Sequence, residues 1–223
     1  MTEDPLEKYE LEQFIKKGLR QLSIPLSRDQ VHQCMTYLHE VEQGNKRMNL
    51  VKATGLILVV KHLFDSLAGI SFFLQAQRRK RIYDIGSGAG FPGIPLAIAL
   101  PDSEFILAER VGKKAGFLQN AVLYTGLTNI EIFGHNFREI NKKVDIITFR
   151  AFSAIGKVID DLLALLHPGG TIIAYKGQKA KIDEEIGEIE KRKGNTSLDI
   201  EVQKVVVPFL ESERHMVIIK RHM

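Results

Sequence analysis

Apolar positions change their spacing partway along the chain. Over residues 5–22 they fall at Leu11, Ile15, Leu19 and Leu22, the spacing of a helix with one buried face, although Gly18 is unfavourable inside a helix. Ser23-Ile-Pro25 breaks that run. Ser27-Arg-Asp-Gln30 has the form of a capping box, and Val31, Cys34, Met35, Leu38 and Val41 mark the buried stripe of a second helix, expected to stop at Gly44-Asn45. Residues 54–75 are apolar enough for one or two more helices. Beyond them the segments shorten. Ile82–Ile85, Glu104–Ala108, Asn129–Phe133, Val144–Phe149 and Thr171–Tyr175 read as strands. Helices are predicted between them over Ile94–Leu100, Lys113–Thr125 and Ile155–Leu166, the last closed by Pro168-Gly-Gly170. Glu201–Val207 and His215–Lys220 are two closing strands joined by a turn, so they should pair antiparallel, and the highly charged Lys179–Asn195 reads as an exposed helix and loop.

Alternating strands and helices with short connections predict an α/β fold. The sheet should have seven strands, mostly parallel, doubly wound and Rossmann-like, with an antiparallel final strand and helices on both faces. Residues 1–75 form an N-terminal helical region before this domain, which takes residues 76–223.

Composition narrows the setting. A chain of 223 residues with one cysteine, Cys34, has no internal disulfide, and cytoplasmic residence fits best. The N-terminus is acidic and lacks the apolar core of a secretory signal. The longest apolar runs, around Gly55–Val60 and Ile94–Leu100, are too short to span a membrane. A net charge of +4 permits a polyanionic partner. The basic junction Gln77–Arg81 divides evenly between a solvated linker and a contact with such a partner.

The densest chemistry lies just after the first strand, in Asp84-Ile-Gly86-Ser-Gly88-Ala-Gly90-Phe-Pro-Gly93. Strand, glycine turn and helix N-terminus let backbone N–H groups approach a nucleotide, with Pro92 near the first turn of the helix. Gly88 to Gly93 satisfies the dinucleotide pattern, so a nicotinamide enzyme is one reading. A carboxylate at the strand end instead suits the ammonium and sulfonium of S-adenosylmethionine and would repel a pyrophosphate, and the charge argument favours that cofactor.

In such a sheet the ligand lies at the carboxyl ends of the strands. Glu109, ending strand two, can accept ribose hydroxyls, or it can serve as the N-cap or first-turn acid of the next helix. Phe137 suits an apolar wall against adenine, and Phe91 is either a cation–π partner for the sulfonium or a core anchor of the turn. After strand four there is no Asn/Asp-Pro-Pro-aromatic turn for methylating an exocyclic amine. Cys34 reads as a core residue, not a nucleophile for carbon-5 methylation. No Cys/His cluster offers a metal site, and the histidines at 62, 135, 167 and 215 read as structural. Arg150 offers a fork of donors that could meet O6 and N7 of guanine, with a plain ion pair as the alternative. N7 carries an in-plane lone pair and needs no general base. Lys176 adds positive charge nearby.

Asp84–Leu96 resembles the signature of the glucose-inhibited division protein B family, the small-subunit ribosomal RNA methyltransferases G. Asn49-Leu50, Lys61–Ser66, Arg150–Phe152, Leu166–Gly170, Lys176-Gly177 and Glu213–Val217 are similar to that family as well. The resemblance implies a class I S-adenosylmethionine-dependent methyltransferase acting on N7 of a guanosine in 16S ribosomal RNA. It also implies that Gly86, Phe91, the backbone around Phe137 and Arg138, and Arg150 line the cofactor site. The substrate would be 16S RNA or the small ribosomal subunit, the enzyme a monomer without metal or membrane. The rival readings are an NAD-dependent oxidoreductase and a non-catalytic RNA-binding assembly factor.

Overall fold

The computed structural model describes residues 5–74, 80–193 and 198–221. Helix α1 covers Pro5–Gln21, and Gly18 sits where a Cβ would run into the ring of Phe64. Close approach to a neighbour, not helix propensity, accounts for that glycine. Helix α2, Arg28–Met48, starts with both halves of the Ser27–Gln30 capping box formed. It runs past Gly44-Asn45 to end at Asn49, which holds the left-handed conformation at φ 48°. A Cβ on Gly44 would lie 2.7 Å from Leu50 and 2.9 Å from Phe117. The Asn45 carboxamide donates to Val51 O at 2.8 Å and accepts from Val51 N at 2.8 Å. Both residues fold the following loop back onto the helix and do not stop it.

Residues 55–72 are helical in pieces: α3 (Gly55–Leu58), a π-helical turn over Val59–Phe64, α4 (Asp65–Leu67) and a 3-10 turn over Ile70–Phe72. Contrary to expectation, Gly55–Phe72 is a run of 18 residues long and apolar enough to cross a membrane by length and composition. Half of it is buried inside the protein, and Asp65 and Ser66 lie within it at 4% and 0% exposure. It behaves as a core segment of the fold.

The sheet follows the predicted alternation. Its strands are β1 (Arg81–Ile85), β2 (Glu104–Ala108), β3 (Ile130–Phe133), β4 (Val144–Arg150), β5 (Leu166–Lys176), β6 (Leu198–Val205) and β7 (Arg214–Arg221). They lie in the order β3-β2-β1-β4-β5-β7-β6. The first five are parallel, and β7 pairs antiparallel with both β5 and β6. The connector between β6 and β7 takes residues 206–213, longer than the single turn expected. Pro168-Gly-Gly170 does not separate helix from strand: β5 already starts at Leu166, which pairs with Val144.

The helices between strands are α5 (Gly93–Ala99), α6 (Gly112–Thr125), α7 (Ile155–Leu165) and α8 (Lys179–Lys193). Helix α8 is not wholly exposed, because Ile182 and Ile189 dock on α7's side of the sheet at 2% and 1% exposure; residues 194 and 195 lie outside the described ones. The N-terminal helices share one continuous core with α5, α6 and one sheet face. Polar anchors reinforce the packing: Tyr37 Oη donates to Ala89 O at 2.7 Å, and Gln30 Nε2 donates to Ile98 O at 2.7 Å. Strand order reverses between β1 and β4, and the carboxyl ends there carry the glycine turn and Arg150.

Candidate active site

The glycines of the turn after β1 have separate tasks. Gly86, Gly88 and Gly90 take φ of 69°, 60° and 97°, the left-handed region open to glycine without strain. A Cβ on Gly90 would fall 2.6 Å from Ile94 and 3.0 Å from the Tyr37 hydroxyl, so this residue seats the turn on the core. A Cβ on Gly86 would fall 2.2 Å from the Phe152 ring, whereas one on Gly88 would have room, 3.8 Å from its nearest neighbour. Gly86 and Gly88 line a cleft of about 510 Å³. Its walls are Ala108–Arg110 after β2, His135–Arg138 after β3, and Ala151–Ser153 after β4.

Asp84 lies beneath the turn, fully buried. Its Oδ2 accepts from Gly93 N at 3.1 Å, while Oδ1 has no partner among the described residues. Burial pushes its pKa up to about 7, against the lowering pull of the Gly93 and Ser87 hydrogen bonds and the Arg150 charge. Such an orphaned acceptor at a strand end fits a cationic ligand group better than a phosphate. Glu109 is also buried: Oε2 accepts from Gly88 N at 3.0 Å and Oε1 from Val111 N at 2.8 Å. It thus ties the turn to Val111, the N-cap residue of α6, from a position on the cleft wall; it is neither the N-cap nor a first-turn acid of that helix, which starts at Gly112.

Phe137 heads a short 3-10 turn, Phe137–Glu139, capped by Asn136. Its ring meets Phe152 edge-on at 5.6 Å, and the pair forms the apolar wall of the cleft. Arg138 lies 4.8 Å over the Phe137 ring and is paired with Asp161 at 2.7 Å. The cleft therefore brings together Gly86, Gly88, Glu109, Phe137 and Arg138.

Five other candidates lie elsewhere. Asp84 and Gly90 are beneath the turn, as described. Phe91 is 4% exposed and packs on Tyr37 and His62, with centroids 5.0 and 4.9 Å apart. The cation over its ring is Arg150, at 5.3 Å. The Arg150 fork is not free: Nη1 donates to Asp65 Oδ2 at 2.7 Å and Lys61 O at 3.1 Å, and Nη2 to His62 Nδ1 at 2.7 Å. Lys176 Nζ is held by Glu185 at 2.8 Å, with Ser153 O at 3.3 Å.

Sequence reasoning passed over Phe152, Arg110, Lys114 and Lys157, all of which line the cleft. Arg110 and Phe152 carried a usable signal, each standing within two residues of a singled-out strand end. Conversely, Lys80 and Arg81 of the basic junction lie at the start of β1, at the end of the sheet opposite the cleft; residues 77–79 of that junction lie outside the described ones.

The cleft fits S-adenosylmethionine on three counts. Its glycine backbone is approachable, an acidic residue closes the β2 side, and an unpaired buried carboxylate oxygen lies under the turn. Comparison with known proteins agrees. Among solved structures, the chain superposes on an S-adenosylmethionine-dependent O-methyltransferase from Thermotoga maritima with a TM-score of 0.55 at 14% identity, covering 84% of this chain and 71% of that one. It superposes on M. jannaschii TYW2 in complex with AdoMet with a TM-score of 0.52 at 18% identity, covering 71% and 77%. These likenesses establish the fold as that of class I methyltransferases. Relatives described as ribosomal RNA small subunit methyltransferase G are closer. The Laribacter hongkongensis protein is 36% identical over 93% of this chain and 97% of its own length. That of Francisella philomiragia is 32% identical over 93% and 96%. The family model described as rRNA small subunit methyltransferase G, GidB, matches residues 30–217. This excludes the nicotinamide reading of Gly88–Gly93, and the chain belongs to the rRNA small subunit methyltransferase G family.

Proposed function

We propose that the protein methylates N7 of a guanosine in 16S ribosomal RNA, acting as a cytoplasmic monomer on the RNA or the small subunit. The observation that carries the reading is the cleft at the carboxyl ends of β1, β2 and β4, lined by Gly86, Gly88 and Glu109 with the unpaired Asp84 Oδ1 buried beneath its glycine turn, in a chain of this family. Bound S-adenosylmethionine supplies an electrophilic methyl group on a sulfonium sulfur. Gly88 leaves the backbone open to it, Gly86 lets the Phe152 ring approach the turn, Asp84 Oδ1 offers a negative partner to its ammonium, Glu109 faces its ribose hydroxyls, and Phe137 with Phe152 walls its adenine.

The acceptor atom asks little of the protein in proton chemistry. N7 attacks with its own lone pair and keeps no proton to lose, so the residues hold two partners in line and exclude water. Arg110, Lys114 and Lys157 at the cleft can meet RNA phosphates, so affinity should fall steeply with salt. The target base must be unstacked to enter, which favours a loop over a duplex.

The test is incubation with methyl-labelled S-adenosylmethionine and under-methylated small subunits, followed by strand cleavage specific for 7-methylguanine. One cleavage in the small-subunit RNA supports donor, acceptor atom and substrate together. Absence of label while S-adenosylhomocysteine still binds would leave the cofactor site standing and remove this substrate.

A further inference from the structure

The hydrogen bond from Arg150 Nη2 to His62 Nδ1, 2.7 Å long, determines the state of the histidine. A guanidinium has donors only, so Nδ1 is the acceptor and the ring proton sits on Nε2. Asp65 and the Lys61 carbonyl grip the other side of the same guanidinium, so it cannot turn away without breaking three contacts. Asp65 is held in turn by Arg214 Nε at 2.9 Å. His62 lies within the π-helical turn Val59–Phe64, a distortion that often marks functional segments. Burial first, then the charges of Arg150, Lys61 and Arg214, lower its pKa to about 3, so the ring stays neutral at working pH.

The place of this ring is as defined as its proton. It packs on Phe91 of the glycine turn, and its arginine partner ends β4. Asp84 and Thr148 are in register, so the ends of β1 and β4 lie side by side at the switch point. His62 therefore stands beside the glycine turn on the flank away from Glu109 and Arg110, half-buried, and its Nε2–H has no acceptor among the described residues.

We propose that His62 reads the target guanine, its Nε2–H donating to O6. The inference rests on the N7 reading above. O6 and N7 share one edge of guanine. A fork gripping both would occupy the lone pair on N7 that must attack the methyl carbon. One donor on O6 orients the base and leaves N7 open. Adenine presents an amino donor at that position, and two donors facing each other reject it. Arg150 and Asp65 are positioning residues acting through His62: they fix its tautomer and ring plane.

The test replaces the target guanosine in reconstituted small subunits with 2-aminopurine, which keeps N7 and carries hydrogen in place of O6. The wild-type protein should lose about ten- to hundredfold in kcat/KM on the analogue, the size of one hydrogen bond left unmade. His62→Phe should lose a similar factor on guanine, no longer distinguish the two bases, and bind S-adenosylhomocysteine as before. His62→Gln, with an amide N–H reaching to the place of Nε2, should recover part of the discrimination. Fluorescence of the bound 2-aminopurine, read with S-adenosylhomocysteine present, reports docking of the base independently of turnover. Equal rates on the two bases in the wild type, or undiminished discrimination in His62→Phe, would overturn the assignment. If His62→Phe fails to bind S-adenosylhomocysteine, His62→Gln decides: a folded Gln variant without discrimination counts against it and a discriminating one supports it. A wild-type protein inactive on guanine subunits would remove the N7 reading itself, and this inference with it.

Discussion

Arg150 Nη1 lies 2.7 Å from Asp65 Oδ2, joining the end of β4 to the helical segment before the sheet across 85 residues of chain. The Asp65 side chain is 5% exposed and that of Arg150 15%, and the second oxygen of Asp65 takes Arg214. One carboxylate thus pairs with two guanidinium groups in a largely dry site. Asp65→Ala leaves both charges without a counter-ion and should cost about 3–5 kcal/mol, read as a shift of the urea midpoint. Asp65→Asn keeps acceptor geometry on one side and should lose less.

The reach of that pair shows where sequence reading stopped. Ser27-Arg-Asp-Gln30 was legible because a capping box is closed within four residues, and both of its bonds are present. The central strands were legible as short apolar runs because they are buried on both faces. Arg150 was visible as a residue type, but its partners at 61, 62 and 65 come together only after the chain has folded back. The end of α2 was misplaced for the same reason: Gly44 looks like a stop signal, and only the close approach of Leu50 and Phe117 shows why it is glycine. Strand ends located the cleft. Which of their side chains face it, and which are tied up inside, depended on contacts no local pattern contains.

Gly88 and Gly90 should separate binding from folding. At Gly88 the nearest atom to an added Cβ is Gly86 O at 3.8 Å, so Gly88→Asn, a residue that tolerates the left-handed region, should fold nearly as the wild type. Its side chain would project into the cleft and should weaken S-adenosylhomocysteine binding by about tenfold or more, measured by calorimetry. Gly90→Ala faces Ile94 at 2.6 Å and φ of 97°, and should instead lose about 1–3 kcal/mol of stability. Equal effects of the two on stability would contradict this division.

Tyr37 is fully buried on α2, and its hydroxyl caps Ala89 O in the glycine turn. Tyr37→Phe keeps the ring packing on Phe91 but strands that carbonyl. It should cost about 1–3 kcal/mol and loosen the turn, seen as faster amide exchange at Gly88 and Gly90. Unchanged exchange there would show that the helical region does not brace the turn.

Asp84 should make stability and cofactor binding oppose each other. Burial raises its folded pKa to about 7 from the ordinary carboxylate value of 3.8, so between those values the folded state holds a proton that the unfolded state has released. The contribution of this group is therefore fully present below pH 3.8 and is lost as pH rises through 7, a change of about 4 kcal/mol. Asp84→Asn removes the titration while keeping the shape and an acceptor for Gly93 N. Its advantage over the wild type should grow from pH 4 to pH 8 in the absence of ligand, measured by urea unfolding at each pH. The carboxylate at Oδ1 is also the partner proposed for the cofactor's ammonium. S-adenosylhomocysteine should accordingly bind the wild type more tightly as pH rises through 7, and Asp84→Asn weakly and with less pH dependence. A variant both more stable and fully competent in binding would mean that the buried charge serves neither purpose.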